Sequence, residues 1–88
     1  MQETLSQISE KLWQVGDHLS AYDRGFYKEE VWGMIDELRD EVLALFDTLP
    51  EETQAQLPRL MQLKEGKIDV IGAWSFGVDE VQTLVEHL

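Results

Sequence analysis

A long amphipathic stretch at residues 27–49 constrains the fold of this chain more than any other part of it. Its apolar side chains recur at alternating spacings of four and three, the period of an α-helix, at Val31, Ile35, Leu38, Val42, Leu45 and Leu49. The stripe is widened by Phe46 and Met34, and to about half of the helix circumference by Trp32 and Leu43. An apolar face this wide cannot be covered by one neighbouring helix, so we expect this helix to pack against at least two others.

Acidic side chains lie nearly opposite that stripe, at Glu29, Asp36, Asp40 and Asp47, with a second row at Glu30, Glu37 and Glu41. Residues 28–52 hold nine acidic and two basic side chains, so the net charge of −11 is concentrated there. Such a field attracts basic surfaces and repels nucleic acid and anionic membranes. The alternative interpretation is that the acidic residues only keep a small protein soluble.

The pattern of the segment before residues 27–49 predicts a first helix from about Thr4 to Ala21. Its apolar seam has two positions in every seven, at Leu5, Ile8, Leu12, Val15, Leu19 and Tyr22. Trp13 projects away from this seam, where it either covers an edge of the core or remains exposed for a partner. The seam can pack within the chain or across a dimer axis, and we expect a homodimer because so small a core gains from additional burial.

The sequence Asp23-Arg24-Gly25 predicts a tight turn, since glycine adopts positive φ angles and aspartate bonds its own backbone. A short connection implies that helices one and two are antiparallel neighbours, with Phe26 and Tyr27 closing that end of the hairpin.

A third helix is predicted to begin near Pro50. Thr48 and Glu51 have the spacing of a capping box, and proline suits the first turn of a helix. Pro58 should kink or split this helix because it lacks a backbone N–H group, and Gly66 should end it.

Residues 67–78 can be interpreted in two ways. Apolar residues alternate with period two at Ile68, Val70, Trp74, Phe76 and Val78, interrupted by Gly72, which suggests a short hairpin or an extended loop. A helical spacing joins Ile71, Trp74, Val78, Val81, Val85 and Leu88, but Gly72 and Gly77 argue against an uninterrupted helix. We therefore predict an irregular apolar loop followed by a helix from about Val78 to His87. In such a loop Trp74 and Phe76 would be aromatic anchors between mobile glycines; alternatively, the two rings close one end of the bundle.

Together these segments predict a single all-α domain over residues 1–88, a small bundle of about four helices with an irregular apolar loop before the last helix. No apolar run approaches the ~20 residues of a membrane span, and the first residues lack the basic and apolar regions of a signal peptide. With no cysteine in the chain, we expect a cytoplasmic protein.

The residues that could support catalysis form no complete motif. Glu37-x-x-Asp40 resembles one half of the metal-binding motif of MazG-type nucleotide pyrophosphatases. The other half should lie on an earlier helix, but the acidic residues there that could match it, Glu3 and Glu10, have the wrong spacing. His18 and His87 are the only histidines, and no glycine-rich phosphate loop is present. We therefore expect no cofactor and no metal.

The leading hypothesis is a non-enzymatic acidic protein that caps or inhibits a basic protein partner. It is similar in size and charge to bacterial immunity proteins, antitoxins and phage inhibitors that imitate DNA. The expected partner-binding residues are Glu29, Asp36, Glu37, Asp40, Asp47, Trp74 and Phe76. The alternatives are an assembly protein that forms homo-oligomers through its helical seams, and a metal-dependent pyrophosphatase.

Overall fold

A computed structural model describes the backbone of residues 1–23 and 28–87 and the side chains of residues 1–21 and 29–87. Within these ranges the chain forms five α-helices and no strand: α1 (Gln2–Asp23), α2 (Lys28–Asp47), α3 (Glu51–Gln54), α4 (Pro58–Lys64) and α5 (Val70–Glu86). The predicted all-α bundle is confirmed. None of these helices combines the length and the apolar composition that crossing a bilayer requires.

α1 and α2 form an antiparallel hairpin. Their contact is extensive, and the Lys11 Nζ atom lies 2.8 Å from the Glu41 Oε2 atom. A connection of four residues reaches at most about 18 Å, too short to return the chain to the start of a parallel neighbour of this length. The predicted turn residues Arg24 and Gly25, and the rings of Phe26 and Tyr27, lie outside the described residues.

Most of the apolar positions that the spacing predicts are buried, while Leu19 and Leu45 are half-buried and the side chain of Tyr22 lies outside the described residues. In α1 the side chains of Leu5, Ile8, Leu12 and Val15 are fully enclosed. In α2 and just after it the buried side chains are Val31, Ile35, Leu38, Val42, Phe46 and Leu49. α2 contacts α1, α4 and α5, which confirms that its wide stripe needs more than one neighbour.

The prediction that Met34 widens the buried stripe is wrong, because Met34 is 45 % exposed. It lies seven residues before Glu41, and therefore on the same solvent-facing margin of α2. Trp32, on the other margin, is 40 % exposed.

The predicted capping box at the start of α3 is also wrong. Pro50 is the N-cap and makes no side-chain cap, while the Thr48 hydroxyl donates to the Leu45 carbonyl oxygen over 2.6 Å. At the end of α2, the buried Gln54 amide donates to the carbonyl oxygens of Phe46 and Leu49, each at 3.0 Å. Since the last carbonyls of a helix have no partner within it, this one side chain secures the end of α2 to α3.

Pro58 splits the third helical segment, as predicted, and becomes the first residue of α4. Gly66 ends α4 with a φ angle of +76°, a backbone conformation that residues with a Cβ atom rarely adopt. The N–H groups of Gly66 and Lys67 donate to the carbonyl oxygens of Leu63 and Gln62, at 3.1 and 2.9 Å.

The prediction of an irregular apolar loop at residues 67–78 is wrong for most of its length, because α5 begins at Val70 rather than Val78. Asp69 caps the helix, its carboxylate accepting a hydrogen bond of 2.8 Å from the Gly72 N–H group. Gly77 is buried inside the helix, where an added Cβ would lie 3.3 Å from a Leu12 methyl group. The missing side chain of Gly77 therefore allows α1 to approach closely, and Gly77 does not interrupt α5.

α5 packs along α1 and completes the core. Gly16 lies beside Trp74 and Leu12 beside Gly77, so the residue numbers of the two helices run in opposite directions. Val70, Ala73, Val78 and Val81 are buried in this contact and against α4. α5 is therefore antiparallel to α1 and parallel to α2, and α3 and α4 return the chain between them.

Candidate partner-binding surface

The helical period of α2 places five carboxylates on its solvent side, and we call Glu29, Asp36, Glu37, Asp40 and Asp47 the acidic strip. All five residues are exposed. Because α2 has 20 residues and rises ~1.5 Å per residue, the strip follows a surface about 30 Å long.

Three of the strip carboxylates already have a cationic neighbour. Arg39 lies between Asp36 and Asp40, with N–O distances of 3.5 and 3.2 Å, and the Lys64 Nζ atom lies 2.8 Å from Asp47. These pairs are largely exposed, so each contributes only about 0–1 kcal/mol and is weakened by salt. Among the described side chains, Glu29 and Glu37 have no ion-pair partner. The strip therefore keeps an excess of negative charge.

An open groove of about 510 Å³ lies along one margin of the strip. One wall is a line of α2 side chains at spacings of four, three and four: Trp32, Asp36, Arg39 and Leu43. The opposite wall is residues 66–71, the connection from α4 into α5. Asp36 belongs both to the groove and to the acidic strip, so the two features form one continuous surface.

The two predicted aromatic anchors lie in α5 and not in a loop. Trp74 is half-buried against α1, with its ring centroid 6.2 Å from that of Trp13 and the planes tilted by 58°. Phe76 is 56 % exposed, with the Arg59 guanidinium 4.8 Å from the centroid of its ring. Two positions apart on a helix, these side chains project to nearly opposite sides. The structure therefore does not unite them in one recognition element.

Trp13 is 50 % exposed and also makes the ring contact with Trp74, so it covers an edge of the α1–α5 contact while leaving one face accessible. The sequence left both roles open; the structure shows the edge contact, and a role of Trp13 towards a partner stays a prediction.

Glu80 is a titratable group that the sequence did not single out. Its carboxylate accepts a hydrogen bond of 3.5 Å from the backbone N–H group of Arg59, in the first turn of α4. Partial burial raises the pKa of Glu80, and the hydrogen bond and the positive charge of Arg59 only partly oppose this. No spacing in the sequence connects residues 59 and 80, so only the packing of α4 on α5 could reveal the contact.

The residues considered for metal chemistry do not converge. Glu37 and Asp40 face solvent, His18 lies in α1, and His87 lies just after the end of α5. In the described part of the chain no group of three or more histidine, aspartate or glutamate side chains is placed to hold a metal ion.

The arrangement is thus an acidic helix face with an adjoining groove that is lined by both polar and apolar side chains. A candidate role must rest on this geometry, because comparisons of the chain with known protein families, with curated proteins and with solved structures found no match.

Proposed function

We propose that this protein is a non-enzymatic acidic binding protein of the cytoplasm that caps or inhibits a basic protein partner. The acidic strip on α2 is the docking surface, and nucleic acid and membranes are not partners. The observation that carries the proposal is the continuous exposure of Glu29, Asp36, Glu37, Asp40 and Asp47 along one helix.

Electrostatics support this role in two ways. The excess of carboxylates over cations on α2 gives a directed field, which accelerates the encounter with a basic surface. The ion pairs of the strip are exposed and weak, so a partner's lysine or arginine side chains can compete with Arg39 and Lys64 at small cost.

The alternative of homo-oligomerisation through the seam of α1 has less support. Leu5, Ile8, Leu12 and Val15 are buried inside the chain against its own helices. A homodimer would need a different surface, and sedimentation over a range of concentrations tests for one.

The test compares two variants with equal net charge. One neutralises the acidic strip with Asn and Gln; the other neutralises five exposed carboxylates elsewhere, at Glu3, Glu10, Asp17, Asp79 and Glu86. Each is immobilised beside the unmodified protein to capture partners from a lysate of the native host. Association and dissociation rates are then measured with the purified partner.

We expect the strip variant to associate with a basic partner at least about tenfold more slowly at low salt, with a difference that shrinks as salt is raised. The control variant should associate nearly as fast as the unmodified protein. Equal rates for all three proteins at low salt would mean that the acidic residues serve solubility alone.

A further inference from the structure

We propose that the groove between α2 and residues 66–71 receives an apolar side chain of the basic partner, presented beside a lysine or arginine that reaches Asp36. This inference rests on the binding function proposed above and deepens it. The occupant is a protein segment with a leucine, isoleucine, methionine or phenylalanine flanked by basic residues. The groove, rather than Trp74 and Phe76, is then the anchoring site.

The charges at the rim of the groove favour a cationic segment. Its two cations, Arg39 and Lys67, already have carboxylate neighbours: Asp36 and Asp40 for Arg39, and Glu65 for Lys67, at an N–O distance of 3.7 Å. The rim also contains Asp69, and its Oδ1 atom accepts the α5 capping bond. The groove itself is lined by two carboxylates and two cations, and the local excess of negative charge comes from Asp40 and Glu65 just outside it and from the acidic strip. This excess would attract an additional positive charge to Asp36.

The walls of the groove offer apolar surface that the chain leaves partly exposed. Leu43, Ile68 and Ile71 are half-buried, and they continue the fully packed core side chains of Ile35 and Leu63 beneath them. Covering such surface is favourable in proportion to the apolar area removed from water. An apolar side chain in the groove would therefore extend the core outwards.

The position of the groove couples the two kinds of contact. Asp36 lies in its α2 wall and in the acidic strip, so a segment lying along α2 can contact the strip with its basic residues while one side chain enters the groove. A volume of about 510 Å³ is within the range of sites that enclose several side-chain-sized groups. Amphipathic helices are recognised by grooves in this manner.

The probe is a short synthetic peptide with leucine and lysine at helical spacing, titrated into the ¹⁵N-labelled full chain at low and at raised salt. A second peptide replaces leucine by serine and keeps the lysines. Two protein variants are compared: Ile71→Ser, in the groove wall, and Met34→Ser, an exposed apolar side chain on the opposite margin of α2. Circular dichroism confirms that both variants are folded.

We expect the amide signals of residues 66–71 and of the Trp32–Leu43 wall to shift most with the leucine peptide. Ile71→Ser should weaken its binding about tenfold or more, whereas Met34→Ser should weaken it less than about twofold. The serine peptide should bind more weakly and lose its binding at raised salt.

Two results would overturn the inference in distinguishable ways. Equal binding of the two peptides, with shifts confined to the acidic strip, would refute the groove and leave the charge-based function standing. Absence of binding by both peptides at low salt would count against the proposed function as well. Shift mapping on the unmodified chain keeps the inference testable even if Ile71→Ser does not fold.

Discussion

The two glycines Gly16 and Gly33 provide the sharpest test of the helix packing, because the same change should have opposite effects at them. Both lie inside long helices, where alanine is favoured over glycine by about 0.5–1 kcal/mol. At Gly33 an added Cβ meets nothing within 4 Å. Gly33→Ala should therefore stabilise the protein by that amount.

At Gly16 the added methyl group would lie 2.8 Å from the Cζ3 atom of Trp74, whereas ordinary contacts begin at 3.4 Å. The Trp74 ring must move, and its movement disturbs the contact with the ring of Trp13, whose centroid lies 6.2 Å away. Overpacking costs about 1–3 kcal/mol, and a lost aromatic contact about 0.5–1.5 kcal/mol. After the gain in helix propensity, Gly16→Ala should destabilise the protein by about 0.5–4 kcal/mol.

Urea unfolding followed by circular dichroism measures both changes. The two variants should differ by about 1–5 kcal/mol. In thermal melts of a domain this size each kcal/mol shifts Tm by about 4–8 °C. In a Trp74→Leu background, Gly16→Ala should instead stabilise, because the ring that it meets is gone. If Gly16→Ala stabilises the unmodified protein as much as Gly33→Ala does, the close approach of α1 and α5 is refuted.

Two further predictions concern the core and the titration of Glu80. Leu38→Ala should lower the free energy of unfolding by about 2–4 kcal/mol because Leu38 is buried. Asp40→Asn, at an exposed position, should change it by less than about 0.5 kcal/mol. Similar losses for the two variants in urea melts would contradict the assigned faces of α2. The raised pKa of Glu80 means that the folded protein binds this proton more tightly than the unfolded chain, so the resulting stability is fully present below the ordinary value of 4.5 and is lost as pH rises through the folded pKa. The stability of the unmodified protein relative to Glu80→Gln should therefore increase as pH is lowered from neutral, and a difference independent of pH would refute the role of burial.

The long helices could be predicted because their periodicity determines which side chains can be buried together. Leu12 and Val15 in α1, like Val42 in α2, occupy the positions that their spacing assigned to the core. The exposure of the acidic strip follows from the same period. Pro58 split a helix for a purely local reason, the missing N–H group, and this too was visible in the sequence.

The start of α5 could not be predicted in this way, because intrinsic propensity and tertiary packing disagree there. Gly77 is unfavourable in an isolated helix, yet the space that it leaves is filled by Leu12 of α1. The local signal that was missed is Asp69, an N-cap residue immediately before the helix. At Thr48 the opposite error occurred: a local capping pattern was present, but the Thr48 hydroxyl donates to the Leu45 carbonyl oxygen at the end of α2 and does not cap α3.

The groove depends on residues that are distant in the sequence. Its walls come from α2 and from residues 66–71, which meet only because α3 and α4 return the chain to the start of α5. Sequence analysis could identify the strip that borders the groove but not the groove itself.

The antiparallel contact of α1 with α5 also determines when the protein can complete its fold during synthesis. α1 is made before α5, which supplies the surface that covers Leu12 and Gly16. Closing this long-range contact requires the intervening chain to be ordered or looped out, which makes it a late event. Until residues 70–86 have left the ribosome, the nascent hairpin of α1 and α2 exposes an apolar seam that chaperones or other nascent chains can bind.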